Sequence, residues 1–140
     1  MDIFFFYDMI EKINIQRMVK MRDESKKRDP LENFEAQFKK STLPLMVMKI
    51  LSEREMYAYE ITQIAFKRSN GKYKMPLLYT TLSKLQKQGF VEESKKVISE
   101  DNRIRIYYRL TEEGYAHLDK LKDLYADLIS TVQSIIYEED

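Results

Sequence analysis

Three leucines set the register of the middle of the chain. Leu78, Leu82 and Leu85 recur at i, i+4 and i+7, so they share one face of a helix. At about 100° per residue the opposite face carries Thr80, Ser83, Lys84 and Lys87, with Tyr79 at its edge and no carboxylate. The pattern predicts a helix over Pro76–Gln88, with Pro76 at its first position and Gly89 closing it. Past Gly89 the period changes from helical to alternating. Phe90–Ile98 and Arg103–Leu110 read as two strands joined by a polar turn, Ser99–Asn102. In the second strand Ile104, Ile106, Tyr108 and Leu110 point one way, and Arg103, Arg105, Tyr107 and Arg109 the other.

Upstream, Ile3, Phe6, Ile10 and Ile13 keep a 3–4–3 spacing that Phe4, Phe5 and Tyr7 broaden. A helix over residues 3–21 is expected, with a sticky face that needs something to pack on. The charged run Arg22–Asp29 reads as a hinge. Asp29-Pro30 then opens a short helix bearing Leu31, Phe34 and Phe38. Ser41 or Thr42 caps the next helix, with Pro44 in its first turn and Leu43, Met46, Val47, Ile50 and Leu51 as its buried stripe. A further helix over Ala58–Ser69 turns Tyr57, Ile61, Ile64, Ala65 and Phe66 inward, and Asn70-Gly71 stops it.

At the other end, Thr111-Glu112-Glu113-Gly114 opens the last helix with acids in its first turn. Along it Leu118, Leu121, Tyr125, Leu128, Val132 and Ile135 step by 3, 4, 3, 4, 3, which is an a/d seam. Leu124, Ile129 and Ile136 widen the stripe. A core helix of one subunit gives similar spacing, but this one is too long for so small a domain to cover, and a homodimer built on the seam is expected. The whole reads as a mostly α fold with a small β-hairpin. It comprises an N-terminal helical arm (1–40), a winged helix-turn-helix domain (41–111) and a C-terminal dimerisation helix (112–140).

Net charge is only +1, yet its distribution is uneven. Lys67 to Arg109 holds eleven basic residues against four acidic ones, a balance of +7, whereas Leu110 to Asp140 holds two against eight, −6. A middle that meets phosphate and an end that does not would show this split; chance clustering of solvated charges is the plain alternative. With no cysteine, disulfides and thiolate metal sites are excluded. The run Ile3–Tyr7 is too short for a signal segment and no apolar stretch approaches the ~20 residues that span a bilayer, so no membrane partner is expected and a cytoplasmic location is. The single histidine, His117, sits beside the seam and reads as packing. Without clustered ligands or a glycine-rich loop, no catalytic residue, metal site or cofactor is expected.

The runs MYAYEI (Met56–Ile61), LLYTTLSKLQKQGFVEE and IYYRLTEEGYAHL (Ile106–Leu118) resemble the PadR-like transcriptional regulators over about residues 41–137. The resemblance implies a dimeric winged-helix repressor whose C-terminal helices form the dimer contact. It places Tyr79, Thr80, Thr81, Ser83 and Lys84 on a DNA-reading helix and Asn102, Arg103 and Arg105 on the wing. Tyr59 matches a tyrosine at the start of the second helix that supports the domain and can reach the DNA backbone. Two positions depart from the family pattern: Pro76-Leu77 replaces a small polar pair ahead of the Leu-Tyr, and Ala58-Tyr59 replaces Gly-Tyr. The absence of tryptophan removes an indole-lined drug pocket. A tyrosine-rich cavity at Tyr115 and Tyr125 between dimer helices would suit a small apolar or aromatic effector, although tyrosines at that spacing also serve as plain core.

The expected partner is therefore double-stranded DNA carrying a near-palindromic operator. Lys84 and Lys87 would meet phosphate or guanine edges, and Thr80 and Ser83 bases or backbone. Lys74, just ahead of the helix, adds to the positive surface. A winged-helix protein-interaction module without DNA binding is the alternative; it would not need the basic middle.

Overall fold

The computed structural model describes residues 3–25 and 29–138, with side chains described from Asp8 to Lys20 and from Asp29 onward. The chain divides into two compact units, Met1–Lys40 and Ser41–Asp140. The first contains α1 (Ile3–Ser25), which runs past residue 21 into the expected hinge. The sticky face drawn at Ile3–Tyr7 lies outside the described side chains. Asp29 caps the next helix as expected: its carboxylate accepts from Leu31 N at 3.1 Å, and Pro30 takes the first helical position.

One helix replaces two between Pro30 and Leu51. α2 (Pro30–Leu51) continues through Ser41 and Thr42, so neither residue is a cap. Pro44 sits inside it, giving up one backbone donor without ending the helix. The Thr42 hydroxyl instead meets the Tyr73 hydroxyl at 3.2 Å.

In the second unit α2 is followed by β1 (Met56–Tyr57), α3 (Ala58–Arg68), α4 (Leu78–Lys87), β2 (Val91–Ile98), β3 (Ile104–Leu110) and α5 (Glu112–Tyr137). The core packs α2, α3 and α4 against one face of the sheet. Val47, Met48, Leu51, Met56, Ile61 and Leu82 are its most enclosed side chains. Each fully buried leucine, isoleucine or methionine contributes about 2 kcal/mol by leaving water. The expected hairpin is a three-stranded antiparallel sheet in the order β1-β3-β2, with Met56 opposite Tyr108 and Tyr57 opposite Tyr107. A bulge between Glu93 and Lys95 shifts the register of β2. Phe66 is half-exposed, not turned inward.

α4 starts two residues later than the leucine spacing predicts. Met75 is buried with φ +53°, and this left-handed residue anchors the approach so that Pro76 and Leu77 form a turn ahead of the helix. Leu77 provides no side-chain cap. The far end closes as expected: Gly89 (φ +82°) lets Phe90 N donate to Leu85 O at 2.9 Å and Gly89 N to Gln86 O at 3.0 Å. Three helices and a β wing make this unit a winged helix.

Candidate nucleic-acid interface

The leucines of α4 reach inward, Leu78, Leu82 and Leu85 all being almost fully buried, and this forces the opposite face out. Thr80, Ser83, Lys84 and Lys87 are exposed, and Tyr79 is 71% exposed. Thr81 is a correction: it is 7% exposed, because one residue past Thr80 the helix has turned toward the core. A residue buried there packs the helix; it does not present its hydroxyl to a ligand.

Tyr59, 61% exposed, stands at the start of α3 as a ridge between two grooves. On one side a cleft of about 540 Å³ runs between Tyr59, Tyr79 and Tyr108 and the wing residues Asp101, Arg103 and Arg105. On the other, a groove of about 560 Å³ is lined by Thr62, Gln63, Phe66, Lys67 and Lys74. Burial pushes the Tyr108 phenol up, so it stays neutral beside the cations. Lys74, Tyr59 and Tyr79 thus line adjoining grooves that share Tyr59. Thr62, Gln63 and Lys67 join them, although the sequence reading did not select them. Their spacing after Tyr59, at i+3, i+4 and i+8, was the signal available.

The wing is held in shape by its own hydrogen bonds. Asn102 takes φ +59°, a conformation asparagine tolerates, and Ser99 N donates to Arg103 O at 2.8 Å. The Ser99 hydroxyl bonds the Asp101 carboxylate, which it holds below the usual range. Asn102 and Arg103 are exposed at the tip, where Arg103 Nε lies 3.5 Å from Asp101. Arg105 differs from its expected role as a free wing cation. It is half-buried, with its guanidinium 4.8 Å over the Tyr57 ring. Tyr57 meets Tyr107 edge-on, and Lys95 covers the Tyr107 ring while bridging to Glu55 at 2.8 Å. The face read as wet arginine and tyrosine is therefore a stacked cation–π ladder bracing the sheet.

Ion pairing divides the cations further. Two arginines on the sheet and its flank are matched, Arg109 to Glu92 at 2.8 Å and Arg68 to Glu53 at 2.9 Å. Among the described residues, Lys67, Lys74, Lys84 and Lys87 have no carboxylate within 4 Å. Lys67 and Lys74 line the groove beside Tyr59, and Lys84 and Lys87 are exposed on α4, the helix that carries Tyr79. A positive surface left unneutralised by the protein suits a polyanion.

The expected seam on α5 begins in the core and then leaves it. Leu118 is buried and Leu121 half-buried, but Tyr125 (39%), Leu128 (52%), Val132 (48%) and Ile135 (79%) are all exposed. His117 stacks on Phe90 with ring centroids 4.1 Å apart, a packing role. No group of three or more potential metal ligands exists among the described residues. No described helix is long and apolar enough to cross a membrane.

Comparison with known proteins agrees with this geometry. An uncharacterized protein of Lysinibacillus sphaericus is 30% identical over 88 residues, covering 61% of this chain and 80% of its own. The crystal structure of a PadR-like transcriptional regulator from Bacillus cereus superposes with a TM-score of 0.61 at 25% identity, over 74% of this chain and 99% of that one. The Bacillus subtilis PadR, solved with operator DNA, shares the fold with a TM-score of 0.50 at 24% identity, over 64% of this chain and 59% of that one. The sequence profile of the PadR-like family of transcriptional regulators matches residues 47–137. The chain belongs to that family, and it is a transcriptional regulator, not an enzyme.

Proposed function

We propose that this regulator represses transcription by binding a near-palindromic operator as a symmetric homodimer, each α4 entering a major groove. The observation that carries this reading is the exposed outer face of α4, where Thr80, Ser83, Lys84 and Lys87 have no carboxylate within 4 Å among the described residues, beside a groove in which Lys67 and Lys74 flank the exposed Tyr59. Lys84, Lys87, Thr80 and Ser83 would read bases and nearby phosphates. Tyr59, Tyr79 and Lys74 would position the backbone, and Asn102, Arg103 and the stacked Arg105 would meet the flanking strand. Two recognition helices on a two-fold axis set half-sites about one helical turn, ~34 Å, apart or a multiple of it. The open seam of α5 supports the dimer. Tyr115 (48% exposed) and Tyr125 (39% exposed) are both open, so a small apolar or aromatic effector between them needs a second copy to enclose it.

The test is fluorescence anisotropy on the regulator's own upstream DNA against an unrelated duplex, across a salt series. Lys84→Ala should lose about 1–3 kcal/mol of discrimination between the two. Arg103→Ala should weaken both about equally and flatten the salt slope by roughly one unit. Equal affinity of wild type and Lys84→Ala for the operator would remove α4 from base reading. No preference for the upstream DNA at any salt would favour the protein-interaction module.

A further inference from the structure

The cleft between the wing and the start of α3 is lined by two arginines in different electrostatic states. Tyr57 and Arg105 both border it, together with Asp101, Arg103, Tyr59 and Tyr79. Arg103 Nε lies 3.5 Å from Asp101, so part of its charge is met within the wing tip. Among the described residues Arg105 has no carboxylate within 4 Å, and its side-chain N–H groups make no hydrogen bond. Its contact is with the Tyr57 ring, whose centroid is 4.8 Å from the guanidinium carbon. A guanidinium stacked on an aromatic ring uses its face there and keeps its N–H edge for a phosphate or carboxylate.

The ring that carries Arg105 is itself held in place. Tyr57 N donates to Glu60 Oε2 at 3.3 Å where α3 begins, and Tyr57 pairs with Tyr107 across the sheet. The two rings meet edge-on with centroids 5.4 Å apart. Beyond them Lys95 Nζ lies 4.6 Å from the Tyr107 centroid while bridging to Glu55 at 2.8 Å. A free arginine side chain loses rotamer freedom when it grips a ligand. Stacked on a braced ring, Arg105 has lost much of that freedom before DNA arrives.

We propose that Tyr57 is a positioning residue for DNA binding: it presents Arg105 to the cleft as a preformed two-donor fork for one backbone phosphate. This rests on the DNA-binding reading above and adds the residue that orients the wing's second arginine. Tyr59 and Tyr79 border the same cleft and are exposed, so the phosphate lies between the wing and the helices that face the groove. A phosphate contact carries no sequence information, so Tyr57 governs affinity for any duplex and not the choice of operator.

Fluorescence anisotropy on an unrelated duplex across a salt series tests it, with circular dichroism reading the fold of each variant. Tyr57→Phe keeps the ring and should bind as wild type does. Tyr57→Leu should bind about three- to tenfold more weakly with the salt slope unchanged, because Arg105 still reaches the phosphate but must first be ordered. Arg105→Lys keeps the charge without the planar fork and should fall by a similar factor. Arg105→Ala should lose the contact and flatten the slope by roughly one unit. The deciding measurement is Tyr57→Leu in the Arg105→Ala background, where it should weaken DNA binding no further. A ring that only braces the sheet would cost as much there as in wild type, and that additivity would overturn the proposal while leaving DNA binding intact. Tyr57→Phe binding as weakly as Tyr57→Leu would overturn it too. Should Tyr57→Leu not fold, Arg105→Lys decides, and wild-type affinity in that variant removes the fork. A wild-type chain that binds no duplex even at low salt would remove the DNA-binding reading itself, and the proposal with it.

Discussion

Leu128→Asp should turn the proposed dimer into monomers that fold as before and lose operator binding. Leu128 is 52% exposed on α5, so an aspartate there costs the isolated subunit little. In a dimer built on the seam the same carboxylate would be buried without a partner, which costs several kcal/mol per copy. Leu121 is a poorer probe, since it packs against the subunit's own core and its loss would confound folding with association. Losing the second recognition helix removes the gain from linked binding, so operator affinity should fall by about a hundredfold or more. Light scattering reads the mass, circular dichroism the fold, and anisotropy the operator. A variant that remains dimeric would move the contact elsewhere, with the exposed Leu31 and Phe34 of α2 the next surface to test.

Gly114→Ala should destabilise the winged-helix unit by about 3 kcal/mol or more. A Cβ at Gly114 would lie 2.1 Å from Phe90 O and 3.0 Å from Phe90 C, and backbone cannot swing aside as a flexible side chain would. The surroundings are tied down as well. The Thr111 hydroxyl donates to Gly89 O at 2.6 Å and accepts from Gly114 N at 3.0 Å, while Thr111 N donates to Phe90 O at 3.1 Å. The first turn of α5 is thereby fastened to the end of α4 and the start of β2. The melting temperature should drop by about 10–20 °C. Gly89→Ala is the control: its φ of +82° is strained for alanine but a Cβ meets nothing within 4 Å, so its cost should stay near 1 kcal/mol. If the two variants melt alike, the close approach at Gly114 is not what holds the junction.

The contrast between these glycines marks how far the chain could be read without coordinates. Gly89 announced itself: it follows a leucine period of i, i+4, i+7 and precedes an alternation, which is where a helix needs a left-handed residue. Gly114 belongs to the run that carries the family resemblance, but its place in the first turn of a helix gives no local reason for a glycine. Its requirement comes from Phe90, 24 positions earlier in sequence, and no local pattern carries it. β1 escaped notice for a related reason. Two residues have no period, and Met56 and Tyr57 are strand only because Tyr108 and Tyr107 lie opposite.

What the sequence determined by itself was everything governed by local periodicity: the leucine face of α4, the alternation of β3, the seam of α5 and the split of charge between them. Burial enforces such periods residue by residue, so they survive in a one-dimensional reading. What the tertiary structure decided was which charges are already spent. Lys84 and Lys95 look alike in a count of basic residues, yet Lys95 lies over Tyr107 against Glu55 while Lys84 faces outward with no acid near. Arg105 alternates with the core like Arg103 but is stacked on Tyr57, and Thr81 differs from Thr80 by one helical step into the core. Pairing and stacking depend on distance across strands and helices brought together by folding, and distance is what a sequence lacks.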